Sequence, residues 1–181
     1  MMRLWICGAA ALALGACATS RESDAPDPPI DDNGSAAADV RDAAGRTRAR
    51  AAATRSGDDV RLRIEAVGMA PGAYGAHVHA VGRCDPPGFT TAGPHWNPTG
   101  RQHGKDNPAG MHKGDLPNLL VGADGNGSFE LTIAGARVSG RGAAALLDGD
   151  GAAIVIHAAP DDFRTDPSGN SGARIACGVL G

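Results

Sequence analysis

Between Asp58 and Val67 the chain alternates, with Val60, Leu62, Ile64 and Ala66 apolar and Arg61, Arg63 and Glu65 charged. A period of two puts these sets on opposite faces of an extended chain, so the segment predicts an antiparallel strand with one face buried. The stretch "SFELTI" repeats the pattern with Phe129, Leu131 and Ile133, and the "ADGNG" before it suits a hairpin turn. "GAYGAHVHAV", "AAIVIHA" and "ARIACGVL" predict further short strands, and "RTRARAAATR" reads as the solvated face of another. About seven or eight strands separated by turn residues predict an all-β sandwich or barrel.

Residues 93–115, "GPHWNPTGRQHGKDNPAGMHKGD", break this pattern. Their glycines oppose regular structure, and Pro94, Pro98 and Pro108 remove donors that a sheet ladder would need. The stretch is therefore expected to be a long functional loop between strands, held by something other than a hydrophobic core. His95, His103, His112 and Asp115 supply three imidazoles and a carboxylate, the donor types of a tetrahedral zinc site. All six histidines fall between positions 77 and 157. Of these, His77 and His79 stand two apart on a predicted strand, so both face one side and can grip one ion. Paired imidazoles on a rigid strand suit copper.

Composition sharpens the picture. The 181 residues, 42% hydrophobic and 20% charged, indicate one globular domain with an added segment. Aromatics are only 3%, so Val, Ile, Leu and Ala must fill the core, while 27 glycines and 12 prolines agree with a turn-rich β fold. The opening "MMRLWICGAAALALGAC" joins Arg3 to an apolar run too short to span a bilayer but suited to a signal peptide. It ends in Leu14-Gly15-Ala16-Cys17, which resembles a bacterial lipobox. That reading makes 1–16 a lipoprotein signal peptide, with lipid on Cys17 as the new N-terminus. Ordinary secretory cleavage near Ala16 or Ala18 remains the alternative. With no aspartate at Ala18, resemblance to other lipoproteins implies an anchor in the outer membrane facing the periplasm. Residues 17–39, polar and rich in Asp, Ser, Ala and Pro, are expected to form a disordered tether before a domain at 40–181. Such a tether reaches roughly 25 Å.

Export simplifies the cysteines. Cleavage removes Cys7 and lipid occupies Cys17, which leaves Cys84 and Cys177 to pair in an oxidising compartment. Loss of Arg3 takes the basic count from 17 to 16 against 20 acidic residues, a formal mature charge of −4. No basic stripe with stacking aromatics is present, so nucleic acid is not expected as a partner.

The segments "GAHVHAVGRC", "TAGPHWNPTGRQHG", "MHKGDLPNL" and "GNSGARIACGVLG" resemble the copper,zinc superoxide dismutase family in order and internal spacing, over about residues 36–181. The resemblance implies a Greek-key antiparallel β-barrel of about eight strands with one copper and one zinc. Copper falls to His77, His79, His95 and His157, and zinc to His95, His103, His112 and Asp115, with His95 serving both. It also implies that Asp161 links the outer ring nitrogens of His77 and His103, a role for which Asp162 is the rival. Arg174 matches the arginine that receives the anion, and a Cys84–Cys177 disulfide would tether its strand. The implied activity is dismutation of superoxide to O₂ and H₂O₂, protecting the cell envelope, with His95 passing a proton.

The segment "APDDFRTDPSGNSGAR" departs from the eukaryotic pattern, because it lacks the Glu-Glu-Lys group of the longer loop. Arg164, Lys105 and Lys113 are candidates for replacing that attraction. A metal store on the same fold and a metal-stabilised adhesion domain are the alternatives. Arg174 argues against the store, and the copper-type histidines against the adhesion domain. Monomer and homodimer both remain open.

Overall fold

A computed structural model describes residues 34–142 and 144–181. Among these the strands are β1 (Ser35–Asp42), β2 (Thr47–Ser56), β3 (Asp59–Ala66), β4 (Gly72–Tyr74), β5 (Ala76–His79), β6 (Leu119–Val121), β7 (Gly127–Ile133), β8 (Arg137–Ser139), β9 (Ala145–Leu147), β10 (Ala153–His157) and β11 (Arg174–Val179). No α-helix occurs among the described residues. Seven strands form one sheet in the order β5-β10-β11-β1-β2-β3-β7. Within it β1, β2 and β3 are consecutive hairpin partners and β11 returns beside β1, the 4-1-2-3 order of a Greek key. The sheet curls into the expected all-β barrel, with β4 and β6 paired separately. The expectation of antiparallel pairing fails in one place, because β8 and β9 pair in parallel.

The inward residues follow the period of two. Val60, Leu62 and Ile64 of β3 and Ile154 and Ile156 of β10 are fully buried, with Leu119, Leu146 and Leu147 closing the ends. β2 contributes only methyl groups, from Ala49, Ala51 and Ala53. In β1, Ala36, Ala38 and Val40 point inward beside them, paired through Ala36↔Ala53 and Ala38↔Ala51. The tether therefore ends earlier than expected, since residues 35–39 belong to a strand and the folded domain begins before residue 40. Small methyl groups left almost no hydrophobic signal there under the Asp- and Pro-rich composition. The expected signal peptide, Cys17 and the rest of the expected tether, up to residue 33, lie outside the described residues.

One edge of the sheet builds the platform for chemistry. Paired residues in adjacent strands share a face. His77 of β5 pairs with Val155 of β10, which pairs with Cys177 of β11, while His79 pairs with Ala153. Ile154 and Ile156 face the barrel core, so His77, His79, Val155, Cys177 and, after a bulge, His157 face outward. They are nevertheless buried, because loops fold back over this edge. Val78 N–H donates to Gly114 O (2.9 Å), and Val78 O accepts from Trp96 N–H (2.8 Å), which sews the 93–115 loop onto β5. Any Cβ at Gly114 would collide with Val78 O, so only glycine allows this approach. Cys84 and Cys177 form a disulfide that pins the 84–93 segment to β11.

Candidate metal centre

Every histidine on the platform has one ring nitrogen committed. His79 Nδ1–H donates to Gly93 O (2.8 Å), His157 Nδ1–H to Gly172 O (3.1 Å) and His77 Nε2–H to Asp161 Oδ2 (2.8 Å). These bonds fix the tautomers and aim the opposite nitrogens inward as lone-pair acceptors. His77 Nδ1, His79 Nε2, His95 Nε2 and His157 Nε2 are all buried and without a hydrogen-bond partner. They also lie within 4.8 Å of one another. Buried polar atoms are almost always satisfied, so four converging exceptions describe a cation's donor set. Burial above all pushes these rings toward the neutral form, with His77 lowered to about 3, His79 to about 2 and His157 to about 4.

A second set adjoins the first. His95 Nδ1, His103 Nδ1 and His112 Nδ1 lie 3.0, 2.9 and 3.0 Å from Asp115 Oδ1, and His112 Nδ1 is 3.4 Å from His95 Nδ1. A tetrahedron of donors about 2.0 Å from its centre has edges of about 3.3 Å, so these separations fit zinc. His77 also approaches this set. Its Nε2 belongs to Asp161 and its Nδ1 to the first set, so His112 completes the second. The His95 ring offers Nδ1 to one set and Nε2 to the other.

Asp115 is also held from the backbone, by Gly104 N–H (2.8 Å) and His112 N–H (3.0 Å) at Oδ2. Burial opposes its ionisation, but His103, His95 and the Gly104 amide outweigh that and hold its carboxyl well below the usual range. Burial likewise opposes charge on His103, yet Asp115 and Asp161 together raise that ring to about 9 without metal.

Asp161 takes the linking role. Its Oδ1 lies 3.0 Å from His103 Nε2, and its backbone is clamped by Asn118, whose Oδ1 accepts from Asp161 N–H (2.8 Å) and whose Nδ2 donates to Asp161 O (3.0 Å). Asp162 does not compete. Its exposed carboxylate accepts from Arg164 N–H, Thr165 N–H, Thr165 Oγ and Asn170 Nδ2, closing its own loop. Asp166, which sequence reasoning passed over, accepts from His103 N–H (2.6 Å) and joins this loop to the 93–115 loop.

A cavity of about 740 Å³ opens over the first set, lined by His79, His95 and His157 together with Arg101, Asp166 and Arg174. Arg174 Nη1–H donates to Phe89 O and Nη2–H to Gly93 O, each at 2.8 Å. Three of its five donors remain for a ligand. Gly93 O thus orients both His79 and Arg174, and the Cys84–Cys177 disulfide holds the segment that carries it. Of the cations expected to draw in an anion, Lys105 lies over the Phe163 ring (4.5 Å) and Lys113 donates to Ala134 O. Neither these nor Arg164 lines the cavity; Arg101 does.

A Greek-key barrel with two adjoining donor sets that share one imidazole defines a two-metal protein. Residues 43–180 match the copper/zinc superoxide dismutase (SODC) family. The superoxide dismutase [Cu-Zn] of Caulobacter vibrioides is 40% identical over 148 residues, 81% of this chain and 85% of that protein. The superoxide dismutase-like protein YojM of Bacillus subtilis is 45% identical over 120 residues, 66% of this chain but only 61% of that protein. Among solved structures, a double mutant of a SOD-like protein from Bacillus subtilis superposes with TM-score 0.75 at 40% identity, covering 80% of this chain and 95% of that one. The Cu/Zn superoxide dismutase of Brucella abortus gives TM-score 0.62 at 25% identity, covering 81% and 99%. The chain belongs to the copper/zinc superoxide dismutase family, and its two donor sets suit that family's one copper and one zinc.

Proposed function

We propose that this protein dismutates superoxide, 2 O₂•⁻ + 2 H⁺ → O₂ + H₂O₂, with copper held by His77, His79, His95 and His157 and zinc by His95, His103, His112 and Asp115. The observation that carries the reading is the convergence of four unpartnered, buried ring nitrogens at the floor of a cavity that Arg174 also lines. When bound, copper supplies a one-electron couple that one superoxide reduces and the next reoxidises, while d¹⁰ zinc cannot cycle and orders the loop.

The chain's own residues do the rest. Arg174, anchored on Phe89 O and Gly93 O, presents its free donors as a planar fork to a diatomic anion. His95 Nε2 would hold a proton only when it is not bound to copper, and its position is kept by Nδ1 in the second set. Gly93 O, Gly172 O and Asp161 keep the remaining rings in one tautomer, so no ring has to turn during turnover. Both donor sets come from one chain, so the site does not require a homodimer.

We further infer that the protein acts in a bacterial cell envelope, protecting it from superoxide, lipid-anchored through Cys17 to the outer membrane and facing the periplasm. The N-terminal sequence supports this, as does a disulfide, which persists in oxidising compartments. Measuring superoxide decay and counting metals together tests the activity. One copper and one zinc per chain with fast decay is expected, His79→Ala should lose copper and activity but keep zinc, and both metals bound without decay would point to storage instead. Intact mass of membrane-extracted protein tests the anchor, since a mature terminus other than lipidated Cys17 overturns it.

A further inference from the structure

An anion approaching this protein meets a net charge of −3 for the full sequence, so attraction must be local. Apart from histidines, the charged residues lining the 740 Å³ cavity among the described residues are Arg101, Arg174 and Asp166. Arg174 is half-buried and tied to two carbonyls, so its position is fixed and its field is felt mainly by an anion already inside. Arg101 is different. It is exposed, none of the ion pairs among the described residues involves it, and it stands where this cavity meets the adjoining groove lined by His112 and Lys113.

The loop holds Arg101 there. Asn97 Oδ1 accepts from Arg101 N–H (3.1 Å), and Asn97 Nδ2 donates to Arg101 O (2.8 Å), so one side chain closes the turn at both backbone groups. Asn97 follows Trp96, whose N–H and O are bonded to Val78 O and Gly114 N–H. The turn bearing Arg101 is thereby joined to the strand bearing His77 and His79. Asp166, whose Oδ1 accepts from His103 N–H, keeps its charge, so among the described residues the cavity wall sets two guanidinium groups against one carboxylate.

Resting on the dismutase reading, we propose that Arg101, positioned by Asn97, is the residue that recruits superoxide into the cavity, while Arg174 orients it at the end of its path. The two guanidinium groups divide the work by exposure: the solvated one acts over a Debye length, about 10 Å at 0.1 M salt, and the half-buried one acts on contact. No other cation of the two loops lines this cavity, which explains how a chain without the Glu-Glu-Lys group attracts an anion.

The test compares Arg101→Gln with Arg164→Gln, which removes the same charge outside the cavity, in protein loaded with copper and zinc. Superoxide decay is followed from low to high ionic strength, and azide is titrated against the visible band of copper as a probe independent of turnover. Arg101→Gln should lower the second-order rate at low salt about threefold, flatten its salt dependence and weaken azide binding about threefold. Arg101→Lys should restore most of each effect, and Arg164→Gln should change little. Equal effects from Arg101→Gln and Arg164→Gln would overturn the proposal, as would a wild-type salt slope and azide affinity in Arg101→Gln. Wild-type protein with both metals bound and no dismutation would sink the dismutase reading instead, and the azide titration would still report on the channel.

Discussion

Replacing Gly169 with alanine would drive a methyl group into the carboxylate that joins the two metal sets. Gly169 has φ +62°, and a Cβ built there overlaps Asp161 Oδ1 and comes within 2.8 Å of His103 Nε2. Gly169 cannot easily retreat, because its N–H donates to Thr165 O (2.6 Å) and its O accepts from Asp162 N–H (2.9 Å). Asp161 must move, and it is fully buried with bonds to His77 and His103. Alanine in the left-handed region costs about 1 kcal/mol. Each charge-assisted bond lost adds about 1.5–3 kcal/mol, so the total approaches 4–7 kcal/mol if both break. Gly100 provides the control, since it shares φ +62° but has nothing within 4 Å of a built Cβ. Urea unfolding of metal-free protein should show Gly100→Ala losing about 1 kcal/mol and Gly169→Ala several more. Zinc affinity should also fall by 10-fold or more in Gly169→Ala alone, as when a carboxylate supporting a ligand is lost. Equal stability losses in the two variants, with zinc affinity intact in both, would refute the reasoning.

Arg174→Ala should leave both metals and the visible copper spectrum unchanged yet slow dismutation by roughly tenfold or more, with Arg174→Lys in between; unchanged decay rates would remove its role. The stability of metal-free protein should peak near pH 6.5. Below that, the unfolded chain gains protons that His77, His79 and His157, lowered to about 3, 2 and 4, refuse, so their contribution fades as pH falls toward those values. Above it, the contribution of His103, raised to about 9, is lost as pH rises through that value. Zinc displaces the His103 proton, so urea midpoints measured with zinc should lose the alkaline decline, and its persistence would contradict the assignment.

What could be read from the sequence was decided by where information resides. β3, β10 and β11 were legible because large apolar residues recur in them with strand-like bounds. Ser35–Asp39 were not, because alanine methyls pack as well as larger groups against Ala51 and Ala53 but score as almost nothing. The three-residue strands β4, β6, β8 and β9 are too short to show a period. The donor sets were legible because their chemistry travels with residue type and spacing. Gly93 O, Gly172 O and Phe89 O were invisible, since every residue carries the same carbonyl and only the fold selects one. The choice between Asp161 and Asp162 needed the loop's path, and so did Arg101. A cation's position in a loop says nothing of the cavity it borders, which is why Lys105 and Lys113 were reasonable candidates and lie elsewhere.

The arrangement also explains why a disulfide belongs beside this site. Four buried ring nitrogens without partners each carry a desolvation cost of about 1–3 kcal/mol before metal arrives. A chain free to relax would turn those rings, or let the covering loops lift, and destroy the donor set. The committed nitrogens prevent turning, since each rotation would break a bond to Gly93 O, Gly172 O, Asp161 or, for His95, Asp115. Lifting is opposed by the Cys84–Cys177 link, which closes a separation of 93 residues. In the chain-entropy account such a closure contributes about 4–5 kcal/mol, enough to offset two or three of the unsatisfied nitrogens. The bond also enters the site directly, because the segment it anchors supplies Phe89 O and Gly93 O to Arg174 and Gly93 O to His79. Stability and chemistry thus meet on one carbonyl, and a change that frees the 84–93 segment must loosen a metal ligand and the anion's arginine together.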